Sequence, residues 1–141
     1  MKFWPSGCER RDMIRVRVGS IWHYGVYVSD DEVIQFGPPP REGTAQHGDT
    51  ITVCTASIDE FSGGSIVERA QLTILERMRR IPPEKTVAIA RSRIGDGGYD
   101  LLHNNCEHFA HECVFGVKRS EQEEEARKRW NEYAKAHSEK K

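Results

Sequence analysis

"SIWHYGVYVSDDEVIQFG", residues 20–37, is the stretch on which the fold turns. Aromatic and β-branched runs flank the turn-forming "SDD" at 29–31, the pattern of a β-hairpin. Just upstream, "DMIRVRVG" (12–19) sets Met13, Ile14, Val16 and Val18 against Arg15 and Arg17, which predicts a half-buried strand. Downstream, "PPPREGTAQHGD" (38–49) is rich in proline and glycine and predicts a loop, and "TITVCTA" (50–56) predicts another strand.

Beyond residue 56 the pattern turns helical. "SIDEFSGG" (57–64) opens on a serine cap and ends on two glycines, which predicts a single short helical turn. A strand or irregular segment is expected around 71–75. "IPPEKTVAIARSRIGDGG" (81–98) carries prolines where a helix starts and glycines where one stops. "YDLLHNN" (99–105) reads as an extended approach to "CEHFAHECVFG" (106–116), a helix closed by Gly116. The last stretch, from residue 119 to 137, predicts a solvated helix with acids in its early turns and bases later, as the helix dipole favours. Ala126, Trp130, Tyr133 and His137 recur there at helical spacing, a narrow stripe expected to pack on the body of the protein. Strands first and helices later point to an α+β domain with an antiparallel sheet.

The 141 residues suit one compact domain, and 37% hydrophobic with 30% charged residues is ordinary globular composition. A net charge of −1 supplies no field for nucleic acid. No run is long and apolar enough for a membrane span, and "MKFWPSGCERRD" lacks the apolar centre of a signal peptide, so a cytoplasmic location is expected. Cys8, Cys54, Cys106 and Cys113 are therefore expected as reduced thiols.

"HNNCEHFAHEC" (103–113) gathers three histidines and two cysteines. A zinc site would pair its ligands, whereas on a helix these residues scatter around the axis, so no metal is expected. Cys106 falls in the first turn, where unpaired N–H groups and the dipole favour a thiolate. Phe109, Ala110, Cys113 and Val114 form the buried side, with Cys113 a small core residue, while 107, 108 and 111 point elsewhere. A nucleophilic cysteine needs a base from elsewhere in the chain. Among His23, His47, His103, His108, His111 and His137, only His23 sits alone within an apolar strand. A solvated strand-end histidine would explain His23 equally well, so the residues by themselves leave catalysis open.

The two stretches "HYGVYVSDDEVIQFGPP" and "NNCEHFAHECVFGVKRSEQ" resemble the histidine box and the Asn-Cys box of the lecithin:retinol acyltransferase-like proteins, which include the H-Ras-like suppressor phospholipase/acyltransferases. The resemblance runs from about residue 11 to 122. It implies a circularly permuted papain-like domain of the NlpC type over 1–118, followed by the charged tail 119–141. It implies Cys106 as nucleophile and His23 as base. The family usually places a second histidine twelve residues after the first; here that position holds Gln35, whose carbonyl can orient the imidazole but cannot titrate. Many relatives also continue into a hydrophobic anchor, in place of which this chain carries its charged helix.

The implied activity is acyl transfer or phospholipase-type hydrolysis through a thioester on Cys106, with an acyl lipid or other acyl donor as partner and no cofactor. The Cys106 N–H is the natural oxyanion donor, with Tyr24 a candidate for the second; Asn105 is weighed for the same region but suits a helix cap, and His108 a structural role. Arg77, Arg79 and Arg80 are the residues that would touch headgroups in a transient membrane contact. A cysteine amidase or peptidase on the same scaffold, and a binding module that keeps the motif without turnover, are the alternatives.

Overall fold

The computed structural model describes residues 1–38, 51–99, 105–116, 128, 130 and 132–135. Strands β1 (Lys2–Pro5), β2 (Met13–Val18), β3 (Ile21–Ser29), β4 (Glu32–Phe36), β5 (Val53–Ala56) and β6 (Glu68–Gln71) form one sheet in the order β1-β6-β2-β3-β4-β5. Every pairing is antiparallel. With helices α1 (Ile58–Ser62), α2 (Ile74–Arg79), α3 (Pro83–Ser92) and α4 (Cys106–Phe115), the chain is the α+β domain its sequence predicts.

The alternation of side chains along a strand gives each face of the sheet its own core. On one face Tyr24, Val26, Val28, Ile34 and Phe36 meet Val87 and Ala90 of α3 and Phe109, Ala110, Cys113 and Val114 of α4. On the other, Ile14, Val16 and Val33 meet Phe61 of α1. Phe36, Phe61 and Phe109 are fully buried; each contributes on the order of 1.5–3 kcal/mol by leaving water. Phe61 reaches its place because Gly25 of β3 has no side chain: a Cβ there would lie 2.8 Å from the Phe61 ring and 3.1 Å from Val33.

Two elements differ from expectation. Residues 74 and 75, expected in a strand or irregular segment around 71–75, instead open α2, because Thr73 accepts the Glu76 N–H while the Glu76 carboxylate accepts the Thr73 N–H. This reciprocal capping box nucleates the helix although none of its residues is buried. Strand β1 carries no alternating signal of its own and forms by pairing with β6, far along the chain. Its Phe3 stacks over the Arg15 guanidinium at 4.2 Å, with Trp22 beneath at 3.7 Å and Glu68 bound to the Arg15 Nε at 2.9 Å.

The hairpin, the 50–56 strand, the Ser57-capped α1, α3 and the Gly116-terminated α4 lie where the sequence puts them. Apart from Pro38, the 38–49 loop lies outside the described residues, as do residues 100–104 of the approach to α4. The described residues of the tail are helical. Trp130 and Tyr133 of its stripe are exposed and stack on each other at 5.8 Å, where packing against the body was expected.

Candidate active site

Helix α4 starts at Cys106 because Asn105 caps it. The Asn105 Oδ1 accepts the His108 N–H at 3.0 Å, and His108 Nδ1 accepts the Asn105 N–H at 3.1 Å. An imidazole thus completes the capping box where a glutamate or glutamine is usual. His108 lies off the helix face that carries Cys106, yet it is fully buried, contrary to the expectation that it points away from the interior. Asn105 takes the capping role that its sequence position suggests.

Cys106 is 8% exposed. Its sulfur lies against the β3 main chain, where the backbone N–H of Tyr24 points at it, joined by the N–H groups of Glu107 and of Cys106 itself. Burial nevertheless dominates and pushes the thiol up to about 11, with the Glu107 carboxylate adding to the rise. The expected depression at a helix start is therefore reversed. Desolvation of the thiolate outweighs the N–H donors.

His23 and Gln35 occupy diagonal positions on neighbouring strands, since Gln35 pairs with Gly25. Both are almost fully buried, and His23 Nε2 lies 2.8 Å from Gln35 Oε1. An amide oxygen only accepts, so in this contact His23 donates from Nε2, which leaves the lone pair on Nδ1 when the ring is neutral. Phe61 packs against the same ring, with centroids 5.3 Å apart. The pair His23–Gln35 and the pair Tyr24–Cys106 are thus joined by a single peptide bond of β3.

Tyr24 contributes its backbone rather than its hydroxyl. The hydroxyl sits between the Arg15 guanidinium and the Glu107 carboxylate, and burial followed by that carboxylate holds it protonated far above the usual phenol range. Of the remaining histidines, His111 stacks on Phe115 at 4.6 Å, and His47, His103 and His137 lie outside the described residues. Among the described residues no three His, Cys, Asp or Glu side chains gather as a metal ligand set. Cys113 is fully buried among the core residues of α4, as expected.

Three contacts were missed. Phe61 against His23 and Glu107 against Tyr24 required the fold. The third, Gln35 Nε2 to Cys54 Sγ at 3.8 Å, follows from the β4–β5 register that sets Gln35 opposite Cys54. A buried glutamine in an apolar strand signals that partners exist, but only the register says which.

Residues 6–119 match the family model described as lecithin retinol acyltransferase. The chain is 24% identical over 135 residues to lecithin retinol acyltransferase of Bos taurus, an alignment covering 83% of this chain and 59% of that protein. It is 25% identical over 125 residues to phospholipase A and acyltransferase 2 of Homo sapiens, covering 79% of this chain and 73% of that one. With phospholipase A and acyltransferase 5 of Mus musculus the identity is 28% over 124 residues, covering 82% and 44%. The chain therefore spans less than two thirds of the length of several of the relatives it matches.

Proposed function

The chain belongs to the lecithin retinol acyltransferase family, and from that premise we propose that it is a cysteine-dependent acyltransferase or phospholipase-type hydrolase acting on acyl esters through a thioester on Cys106. The observation that carries this reading is the junction at β3: the Cys106 sulfur rests at the Tyr24 N–H, one residue from an imidazole held by Gln35. The relatives' names, acyltransferase and phospholipase A, supply the substrate class.

With its thiol raised to about 11, Cys106 does not rest as a thiolate at neutral pH. The proton must leave as the sulfur attacks, and in this reading His23 Nδ1 takes it as general base. The sulfur adds to the ester carbonyl carbon, and the oxyanion forms beside the N–H groups of Cys106 and Tyr24, already aimed at that region. The imidazolium then gives its proton to the departing alkoxide as the C–O bond breaks, leaving the thioester. Water or an amine, deprotonated by His23, attacks the thioester carbonyl and the thiol is restored. Splitting the transfer in this way replaces one difficult displacement with two easier ones. Gln35 holds the ring and takes no proton. No cofactor is needed by this chemistry, and Asn105 supports it by fixing the start of α4.

The test is intact-protein mass after mixing with phosphatidylcholine vesicles, for the wild type, Cys106→Ala and His23→Ala. The expected result is a hydroxylamine-labile acyl adduct on the wild type, none on Cys106→Ala and at most a trace on His23→Ala. No adduct together with slow alkylation of Cys106 by iodoacetamide at pH 7 would sink the acyl-transfer reading in favour of a binding module. No adduct with fast alkylation would redirect it to an amide substrate.

A further inference from the structure

Gln35 is 2% exposed, and its amide has two unlike ends. One end must accept and the other donate, and in a buried site each needs a matching partner. His23 can serve either end, because its ring can move its proton from one nitrogen to the other. The neighbour at the far end of the amide therefore decides which way Gln35 lies and, through it, which nitrogen of His23 keeps the lone pair.

That neighbour is Cys54. It stands directly across from Gln35 in the β4–β5 ladder, and its sulfur lies 3.8 Å from Gln35 Nε2. The Gly37 backbone N–H donates to the Thr52 carbonyl at 2.8 Å, beside the same sulfur. Taking the Gln35 N–H, the sulfur acts as an acceptor. The amide nitrogen is thereby drawn towards β5 and the oxygen towards His23, 2.8 Å away.

We propose that Cys54 is a positioning residue for the reaction: by accepting from Gln35 Nε2 it orients the amide, which locks His23 with its proton on Nε2 and its lone pair on Nδ1. The role rests on the assignment of His23 as base, and it is specific to a glutamine at position 35. A histidine there could adapt by changing tautomer, whereas a reversed glutamine would present an N–H to the Nε2–H and force the proton of His23 onto Nδ1, the nitrogen that must be basic.

The test reads the His23 tautomer directly, by ¹⁵N shifts of the ring nitrogens assigned through their loss in His23→Ala, alongside the pH profile of Cys106 alkylation. Cys54→Val, which fits a strand and has no acceptor, and Cys54→Ala should both populate the Nδ1–H form and slow alkylation of Cys106 at pH 7 by about threefold to tenfold, a modest part of what a general base supplies. Cys54→Ser, which keeps an acceptor, should restore the wild-type tautomer and rate. In a Gln35→His background the Cys54→Val change should leave the alkylation rate as it finds it. An unchanged His23 tautomer in Cys54→Val and Cys54→Ala, or the same loss of reactivity in both backgrounds, would overturn the proposal and leave Cys54 as packing. Failure to form an acyl adduct on lipid would count against the acyl-transfer reading alone, since the tautomer is measured without substrate.

Discussion

At the level of single residues, the site depends on what a glycine omits. A Cβ at Gly25 would meet the Phe61 ring at 2.8 Å, Val33 at 3.1 Å and the Ile34 carbonyl at 3.3 Å, and the last of these is backbone that cannot step aside. Gly25→Ala is therefore expected to cost about 1–3 kcal/mol, the usual range for overpacking a filled core. It should also disturb His23, because Phe61 is the ring that packs against it. Urea unfolding measures the first effect, and a slower alkylation of Cys106 at matched folded fraction the second. A variant as stable as the wild type would show that Phe61 is not wedged where the structure puts it. His23 was legible at this level as a polar side chain alone in an apolar strand, whereas Gln35 was singled out by the resemblance to the family's histidine box rather than by its surroundings. The electrostatics of Cys106 was not legible. Position on a helix can be read from spacing, but the depth of burial that reverses its effect depends on what packs over the thiol.

Among the elements, α4 is the one whose start positions Cys106. Its capping box has histidine in the third position, so the Asn105 and His108 N–H groups are satisfied by side chains that are themselves buried. Asn105→Ala is expected to cost about 1 kcal/mol in urea unfolding, and Asn105→Ser to recover most of it. Acyl-adduct formation should fall by more than the stability loss explains, since a frayed first turn misplaces the Cys106 N–H. Equal losses in both readouts would reduce Asn105 to a stability role. Elements announced by local chemistry were found from the sequence: the hairpin by its turn, α1 and α4 by their caps and glycines. The box at Thr73 and Glu76 was there to be read, and it marks α2 better than the apolar content around it. Strand β1 had no such mark, since four residues at a sheet edge are defined by the partner they meet rather than by their own pattern.

For the molecule as a whole, the two thiols of α4 set an alkaline limit. Burial raises Cys106 from an ordinary 9.0 to about 11 and Cys113 from 9.0 to about 12. In both the folded state holds its proton more tightly than the unfolded chain. Their contribution is therefore fully present below pH 9 and is lost as pH rises through the folded values. Each loss is on the order of 2–4 kcal/mol once the folded value is passed. The free energy of unfolding should accordingly decline above pH 9, and Cys113→Ala should decline less steeply despite a lower value at neutral pH from its small cavity. Parallel pH curves for the two proteins would contradict the assignment.

The layout of the sheet also has a consequence in time. The His23–Gln35 pair sits within one hairpin, whose strands meet across a tight turn, so its half of the site closes a short loop. Cys106 arrives only when α4, encoded far downstream, settles on β3, which closes a much longer one. In folding, the His23–Gln35 contact thus needs only a short loop to close, whereas Cys106 is placed only when α4 docks. The Cys106 thiol is sealed at the β3 main chain in the same event that completes the core between α4 and the sheet, so the thiol and the His23–Gln35 pair are brought together last.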